Sequence, residues 1–300
     1  MTSAQAAPGA RRPTPADWIV ASGPPLLLVV VLQGTYAISA AHHSGDLSAW
    51  RVALTLLVLV PDCAGRRFIN DYEDYVRGLD RPDGVRPQSS LALGLDMRRL
   101  RTVGLACFGV AWVGLAVLAI TTSLWLLPLI ALCYLAYFSY AGGPRPLGHR
   151  AMGELLDFVV TGAGVTLILA WLNVGHVDGT IVLASLGPGF LFAGLMLHNN
   201  ARDVDKDRAA GKTTLPHVVS PAVTKTVYAC CLIGFYLVVL ALALRLDSAA
   251  VLLPAVTLPW AAALVWSVSR SRIGPEMISW AWLYHLMITD FVLFSVGAWL

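Results

Sequence analysis

Nine long apolar stretches constrain the fold of this 300-residue sequence more than any other feature. Each is about 20 residues long, the length that an α-helix needs to cross the hydrocarbon core of a bilayer. Across the chain 57% of residues are hydrophobic and 13% are charged, whereas soluble domains carry about 25% charged residues. Such a chain cannot cover itself with a polar surface. The sequence therefore predicts an all-α integral membrane protein, a bundle of about nine transmembrane helices.

The predicted spans form one domain. They are Trp18–Ala41, Trp50–Ile69, Leu100–Thr121, Leu124–Ala141, Leu155–Val174, Ile181–Asn199, Thr224–Leu244, Ala249–Ser267 and Ile278–Leu300. Residues 1–17 are rich in Ala, Pro and Arg and are predicted to form a disordered cytoplasmic tail, which leaves residues 18–300 as a single transmembrane domain. The five cysteines show no metal-ligand spacing, and a net charge of +3 argues against a nucleic-acid partner.

The basic residues predict the orientation of these spans in the lipid. With the N-terminus in the cytoplasm, 19 of the 21 Lys and Arg residues fall on the cytoplasmic side, and only Arg51 and Arg245 fall outside. Cytoplasmic loops of membrane proteins carry such an excess of positive charge. We therefore expect a multi-pass protein of the cell membrane whose N-terminus and long loops, Asp71–Arg99 and Ala201–Ala222, are cytoplasmic.

Two acidic motifs end equivalent spans on that side. The second span continues into NDYEDYVRGLD and the sixth into NNARDVDKDRAAGKTTL. Their carboxylate and amide residues are Asn70, Asp71, Asp74 and Asp80 in the first motif and Asn199, Asp203 and Asp207 in the second. Within each motif Asn precedes Asp by one helical turn, so the two side chains share a face. The motifs match at an offset of 129 residues, which suggests an internal repeat with two acidic stripes facing each other.

These stripes predict a magnesium–diphosphate site. Mg²⁺ takes oxygen ligands and typically combines a few carboxylates with phosphate oxygens of a substrate. Basic residues that could clamp a diphosphate follow each motif: Arg77, Arg81, Arg202, Arg208 and Lys212. Any one of these cations is equally explained by positive-inside bias, and a solvated charged loop would explain a single acidic run. Two such runs at equivalent membrane depth favour a shared binding site.

At these motifs, and at YAGGPRPLGHRAMGE (Tyr140–Glu154), the chain resembles the UbiA superfamily of intramembrane prenyltransferases. Within it the chain is most similar to the 1,4-dihydroxy-2-naphthoate polyprenyltransferases. The resemblance implies transfer of a prenyl group from an isoprenoid diphosphate to a naphthoate or phenolic acceptor. It implies two Mg²⁺ ions on the diphosphate, held by the carboxylates and amides of both motifs, with Asp71 and Asp74 as catalytic residues. It also implies that the basic residues neutralise the leaving group.

Five further residues are predicted to line or face the reaction chamber. Tyr137 and Tyr140 lie three residues apart on one helical face and could line the prenyl or acceptor site, although core tyrosines have the same pattern. Asp157 near the start of the fifth span is a candidate proton acceptor, although helix N-termini favour acids in any case. Asp62 and Arg66 are spaced to form an ion pair facing the cavity.

Two other functional classes stay open. A UbiA-type terpene cyclase would let double bonds of the substrate itself trap the allyl cation, with no acceptor. A transporter could use the acidic repeat as an ion site.

Overall fold

The computed structural model describes residues 13–78, 89–142, 146–274, 277 and 280–300. Its helices are α1 (Pro15–Ala21), α2 (Pro24–His42), α3 (Ala49–Val76), α4 (Met97–Thr122), α5 (Leu126–Ala141), α6 (Gly153–Leu156), α7 (Val165–Val174), α8 (Gly179–Arg202), α9 (Val204–Ala209), α10 (Leu215–Val218), α11 (Pro221–Leu246), α12 (Leu258–Arg270) and α13 (Trp280–Trp299). A π-helical segment, Asp157–Gly164, joins α6 to α7, and 3₁₀ segments span Leu147–His149 and Ala249–Thr257. These residues contain no β-strand, only an isolated bridge between Arg150 and Thr213. The predicted all-α membrane fold is confirmed.

Seven helical segments in the described residues are long and apolar enough to cross a membrane. They are Pro24–His42, Met97–Thr122, Gly153–Val174, Gly179–Arg202, Pro221–Leu246, Ala249–Arg270 and Ala281–Trp299. The predicted second and fourth spans correspond to α3, which carries charged residues within its apolar part, and to α5, whose apolar stretch Leu126–Tyr140 is shorter. Nine crossings and an internal repeat therefore stay predictions.

The predicted first span is two helices rather than one. Thr14 caps α1, since its backbone N–H and its hydroxyl both donate to Asp17 Oδ2, at 2.6 and 2.8 Å. The break falls at Gly23, whose φ of +71° is strained for residues with a Cβ, and Pro24 and Pro25 then begin α2. Residues 15–17 thus belong to a helix and not to the predicted tail, of which residues 1–12 lie outside the described residues.

The core that supports the site is built where α2, α8, α11 and α13 meet. Tyr36 is fully buried, stacks on Phe294 with ring centroids 4.0 Å apart, and donates a hydrogen bond to the carbonyl of Ala184 at 3.0 Å. Aromatic pairs and satisfied hydroxyl groups of this kind fix the relative position of helices in a dry interior. The core therefore fixes the position of α2 relative to α8, and both helices line the cavity beside it.

The π-helical segment is pressed against α8. A Cβ added at Gly162 would lie 2.4 Å from the Cα of Gly189, so the two backbones meet where neither residue carries a side chain. The wide turn also leaves carbonyl groups to be satisfied, and the Gln33 amide donates to the carbonyls of Thr161 and Gly162 at 2.7 and 3.1 Å. Such π-helical turns are frequent at functional sites. This one places Asp157 at the edge of a cavity.

Candidate active site

A cavity of about 590 Å³ opens at the end of the bundle that carries both acidic motifs. Its walls come from the α1–α2 junction, α3, α5, the π-helical segment and α8, with Lys212 and Tyr284 added from the chain beyond. Nine of the residues predicted from the sequence line it: Asn70, Asp74, Tyr137, Tyr140, Asp157, Asn199, Asp203, Asp207 and Lys212. The two motifs, far apart in the sequence, therefore share one site.

Asn70, Asp71 and Asp74 of the first motif lie on one continuous helix, α3. The cavity-lining residues of α3 are Cys63, Arg66, Arg67, Asn70 and Asp74. They recur at intervals of three and four, the spacing of a single helical stripe. Asn70 Nδ2 donates to Asp74 Oδ2 at 3.1 Å, which holds the Asn70 amide and the Asp74 carboxylate side by side at the mouth.

Asp71 is placed beside the cavity and does not line it. The residue is 5% exposed, and its Oδ2 accepts hydrogen bonds from the backbone N–H of Ser90 at 3.2 Å and the Ser90 hydroxyl at 2.6 Å. Its Oδ1 lies 3.4 Å from Arg67 Nε. In this arrangement Asp71 anchors Ser90 to α3, and its role as a metal ligand stays a prediction. Asp80 and Arg81 lie outside the described residues.

The second motif spans a helix break. Helix α8 ends at Arg202, and Asp203 separates it from α9. The Arg202 fork holds Asp203 through Nε–Oδ1 and Nη2–Oδ2 contacts of 2.8 and 2.6 Å. Asp207 Oδ2 lies 3.2 Å from Lys212 Nζ, yet this buried oxygen has no partner with hydrogen-bond geometry.

A tight turn brings Lys212 back to Asp207. Gly211 has a φ of +73°, which favours glycine, and the next backbone N–H, that of Lys212, donates to the Asp207 carbonyl at 2.9 Å. The backbone N–H of Ala151 donates to the Thr213 carbonyl at 2.9 Å and joins this turn to the loop before α6. In that loop, burial and then the positive charges of Lys212 and Arg77 lower the pKa of His149 below its ordinary value.

The basic residues differ from the predicted set. Lys212 lines the cavity, and Arg202 contacts it through Asp203. Arg77 Nη2 lies 3.5 Å from Glu73 Oε2, Arg208 is exposed, and neither lines the cavity. Arg66 lines the cavity and forms the predicted ion pair with Asp62, which does not line it. Sequence reasoning left Arg67 out of the site, although two adjacent arginines within a membrane span were a signal. It also missed four polar residues of the lining: Ser89, Thr161, Asn200 and Tyr284.

The deeper wall contains the predicted tyrosines and Asp157. Tyr137 donates to the backbone carbonyl of Arg66 at 2.7 Å, and the Arg66 guanidinium lies over its ring, 5.8 Å from the centroid. The Tyr140 hydroxyl contacts the sulfur of Met196 at 3.4 Å. Asp157 Oδ1 accepts from the Thr161 hydroxyl at 2.8 Å. One face of the Tyr137 ring therefore already holds a cation.

The donor set at the mouth suits a divalent cation that binds together with a ligand. Among the residues described, no three Asp, Glu, His or Cys side chains converge closely enough to hold an ion alone. Carboxylate and amide oxygens of both motifs nevertheless line one cavity, and Asp207 offers a buried oxygen without a hydrogen-bond partner. Hard oxygen ligands of this kind fit Mg²⁺ when a substrate supplies the remaining oxygens.

Comparison with known proteins agrees with this geometry. The sequence profile of the UbiA prenyltransferase family matches residues 27–288. The chain is 29% identical to 1,4-dihydroxy-2-naphthoate octaprenyltransferase of Mycobacterium leprae over 87% of this chain and 88% of the relative. It is also 29% identical to the protein of that name in Mycobacterium tuberculosis, over 71% of this chain and 73% of the relative.

Solved structures share the fold. A UbiA homolog from Archaeoglobus fulgidus, bound to DMAPP and Mg²⁺, superposes with a TM-score of 0.62 at 18% identity, over 93% of this chain and 99% of that one. The apo UbiA homolog from Aeropyrum pernix gives 0.69 at 15% identity, over 90% and 96% of the two chains. At sequence identities this low, the superpositions show that the helices of these proteins are arranged in the same way as the helices of this chain.

Proposed function

The chain belongs to the UbiA prenyltransferase family and is a multi-pass membrane prenyltransferase, and we propose that it transfers an isoprenoid group to an aromatic acceptor in a Mg²⁺-dependent reaction. This proposal rests on the observation that one cavity has a polar, charged mouth and hydrophobic walls elsewhere. Its mouth is lined by carboxylates, amides and Lys212, whereas hydrophobic side chains such as Val30, Leu195 and Phe192 line it elsewhere. A diphosphate fits the first environment and a prenyl chain the second.

At the mouth, Asn70, Asp74, Asn199, Asp203 and Asp207 would hold two Mg²⁺ ions together with the diphosphate. Bound Mg²⁺ supplies positive charge to the oxygens of the leaving group. Lys212, with Arg67 from α3, adds fixed positive charge beside the same carboxylates. Interactions aimed at charge that develops in the transition state contribute most to catalysis. The Mg²⁺ and DMAPP named for the Archaeoglobus structure support this ligand class.

At the chamber wall, Asp157 is the group that would accept the proton from the aromatic acceptor. It lies in the cavity on the π-helical segment, oriented by Thr161, and Tyr140 lines the same wall. When an aromatic carbon that carries hydrogen forms a bond to the prenyl cation, that carbon must lose its proton before the ring is aromatic again. The Asp157 carboxylate would accept this proton. The relatives' name, with 1,4-dihydroxy-2-naphthoate as acceptor, supports a naphthoate or phenolic acceptor.

The test is an incubation of membranes containing the protein with geranyl, farnesyl and geranylgeranyl diphosphates, with and without naphthoate and phenolic acceptors, followed by mass spectrometry. We expect consumption of the diphosphate to accelerate with acceptor and the product to contain both skeletons. A cyclic hydrocarbon or terpene alcohol, formed at a rate that acceptors do not raise, would make the protein a terpene cyclase instead.

The distribution of basic residues supports a cytoplasmic location for the cavity mouth and the N-terminus. An impermeant maleimide should label a cysteine at Ala209 only from the cytoplasmic face and one at Asp46 only from the opposite face, both positions being exposed. The reverse labelling would contradict this orientation.

A further inference from the structure

Gln33 is a buried polar residue within the span of α2, next to the reaction chamber but outside its lining. Its Nε2 donates to the carbonyls of Thr161 and Gly162, at 2.7 and 3.1 Å, and lies 3.1 Å from the Thr166 hydroxyl. All three acceptors belong to the π-helical segment or to the first turn of α7. A buried amide in a membrane span is costly unless it is hydrogen-bonded, and this one spends its donors on the helix that carries Asp157.

Helix α2 satisfies the backbone at two irregular points near the chamber. Pro188 lies inside α8 and has no backbone N–H, so the carbonyl of Ala184, four residues earlier, loses its helical partner. Tyr36 replaces that partner by donating its hydroxyl to the Ala184 carbonyl at 3.0 Å. Gln33, one turn earlier on α2, acts in the same way on carbonyls of the π-helical turn. The two contacts are comparable, but Thr161 lines the chamber and Ala184 does not.

Thr161 connects Gln33 to the chamber through its two polar groups. Its carbonyl accepts from Gln33, and its hydroxyl donates to Asp157 Oδ1 at 2.8 Å. Both Thr161 and Asp157 line the cavity. A shift of the Thr161 backbone would therefore move the hydroxyl that holds the Asp157 carboxylate. Among the described residues the other carboxylate oxygen, Oδ2, has no hydrogen-bond partner, so it is available to accept a proton.

Contact with α8 holds the opposite side of the π-helical turn. The backbones of Gly162 and Gly189 meet there without side chains between them, and the rings of Phe158 and Phe190 pack edge to face with centroids 5.0 Å apart. Apolar packing is not directional, whereas hydrogen bonds depend steeply on angle. The packing thus limits how close the turn lies to α8, and the Gln33 amide determines how the turn is rotated.

We infer that Gln33 is a positioning residue for Asp157, which it fixes by holding the π-helical turn through the Thr161 carbonyl. This rests on the proposed function, in which Asp157 accepts a ring proton from the acceptor. In that step the C–H bond breaks, its electron pair returns to the ring, and the proton binds the carboxylate. Misplacement of a catalytic group by about 1 Å can cost about 10²-fold in rate. Loss of Gln33 should therefore slow proton removal and leave substrate binding nearly unchanged, since its side chain does not line the cavity.

The experiment uses purified full-length protein and two ring-deuterated acceptors, 1,4-dihydroxy-2-naphthoate and 4-hydroxybenzoate. Mass spectrometry identifies an acceptor whose product has lost one ring deuteron, and that acceptor is used for kinetics. Gln33→Leu keeps an apolar side chain of similar size but cannot donate. We expect it to lower kcat about tenfold with KM for both substrates within about twofold of wild type. The deuterium isotope effect on kcat should also rise above that of wild type, because proton removal becomes slower than the other steps.

Tyr36→Phe is the matched control, because it removes a comparable hydrogen bond one turn along the same helix. It leaves the buried Ala184 carbonyl without its partner, so it should lower the unfolding temperature at least as much as Gln33→Leu. Its kcat should nevertheless stay within about twofold of wild type, with an unchanged isotope effect. A general loosening of the bundle would instead affect both variants alike.

A double-mutant cycle gives a second measure of the link between Gln33 and Asp157. Asp157→Asn removes the carboxylate that Gln33 positions. Adding Gln33→Leu to Asp157→Asn should then lower kcat by less than about twofold more, whereas independent effects would multiply. Thr161→Val removes the hydroxyl that holds Asp157 and should raise the isotope effect as Gln33→Leu does. This variant keeps the test decisive even if Gln33→Leu fails to fold.

Several outcomes overturn the inference. An unchanged isotope effect in folded Gln33→Leu or in Thr161→Val does so, as does an equal rise in Tyr36→Phe. Multiplying effects in the double variant also contradict it. Prenylated products that keep every ring deuteron would leave Asp157 no proton to accept, and would reject the inference while prenyl transfer stands. Product that forms without acceptor at an acceptor-independent rate would instead reject the proposed function itself.

Discussion

The two acidic motifs are equivalent in the sequence and different in the structure. Asn70 and Asp74 match Asn199 and Asp203 at a constant offset, but the first pair lies on an unbroken helix and the second pair brackets its end. Among its described residues, the first motif brings one carboxylate, Asp74, to the cavity. The second brings two, Asp203 and Asp207.

The difference follows from the direction of side chains along a helix. Consecutive residues diverge by about 100°, so Asp71 lies beside the stripe formed by Asn70 and Asp74 and finds its partner in Ser90. In the second motif Asp203 and Asp207 lie four residues apart, and the break at Asp203 lets α9 carry Asp207 to the same cavity. The two similar sequence motifs therefore differ in the structure. The described part of the first contributes Asp74 to the cavity and uses Asp71 to hold Ser90, whereas the second contributes both Asp203 and Asp207 to the cavity.

The largest expected effect concerns both motifs together. Removal of divalent cations with EDTA should abolish turnover, since without Mg²⁺ the carboxylates of both motifs repel the diphosphate instead of holding it through the metal, and added Mg²⁺ should restore it. Full activity in the presence of EDTA would contradict the claim that the two motifs bind divalent cations at one cavity.

The next effect separates residues that line the cavity from those that do not. Asp74→Asn, Asp203→Asn and Asp207→Asn should each lower kcat/KM by about 10²–10³-fold, because each removes a carboxylate ligand from the Mg²⁺ that would stabilise the leaving diphosphate. Thermal unfolding should change little, as the carboxylates border a cavity and not a packed core. Near wild-type rates in the folded variants would contradict their placement in the site.

Asp71 should behave differently from Asp74. Asp71→Asn weakens the contact that anchors Ser90, so we expect a loss of activity of about tenfold, matched by Ser90→Ala. A loss as large as that of Asp74→Asn, with Ser90→Ala unaffected, would indicate that Asp71 turns into the cavity to bind metal and that the two motifs are more alike than this structure has them.

The smallest effect concerns His149, in the loop beside the second motif. Its lowered pKa means that the folded protein favours the neutral ring, so protonation below the ordinary value of about 6.5 opposes folding. His149→Gln should therefore change the rate by less than about twofold at pH 7.5 and should lessen the loss of thermal stability as the pH falls below 6.5. A large rate change at pH 7.5 would instead place His149 in the site.

Much of the fold was accessible from the sequence because apolar length and helix periodicity are local properties. The predicted span Leu155–Val174 and the observed helical segment Gly153–Val174 differ by two residues at one end. The break at Gly23 was not predicted, since hydropathy continues across it, although Gly-Pro-Pro was a visible signal. The π-helical turn depends on Gln33, more than a hundred residues earlier, and no local pattern could reveal it.

The candidate site, like the fold, was predictable from the sequence only in part. Spacing identified the residues of both motifs that line the cavity, because one stripe of a helix faces one direction. The position of Asp71 outside the cavity lining depends on Ser90, 19 residues later in the sequence, and the position of Arg66 depends on Tyr134 and Tyr137 of another helix. Contacts of that range are set by how helices pack, and helical periodicity does not encode them.

The central claim is that both motifs hold one Mg²⁺–diphosphate unit. The most direct measurement is electron paramagnetic resonance of Mn²⁺ added to the purified protein, with and without an unreactive thio analogue of geranyl diphosphate. The account predicts that Mn²⁺ binding tightens strongly with the analogue and that this gain is lost in both Asp74→Asn and Asp207→Asn. Equal Mn²⁺ binding with and without the analogue, or a gain that survives in either variant, would contradict it.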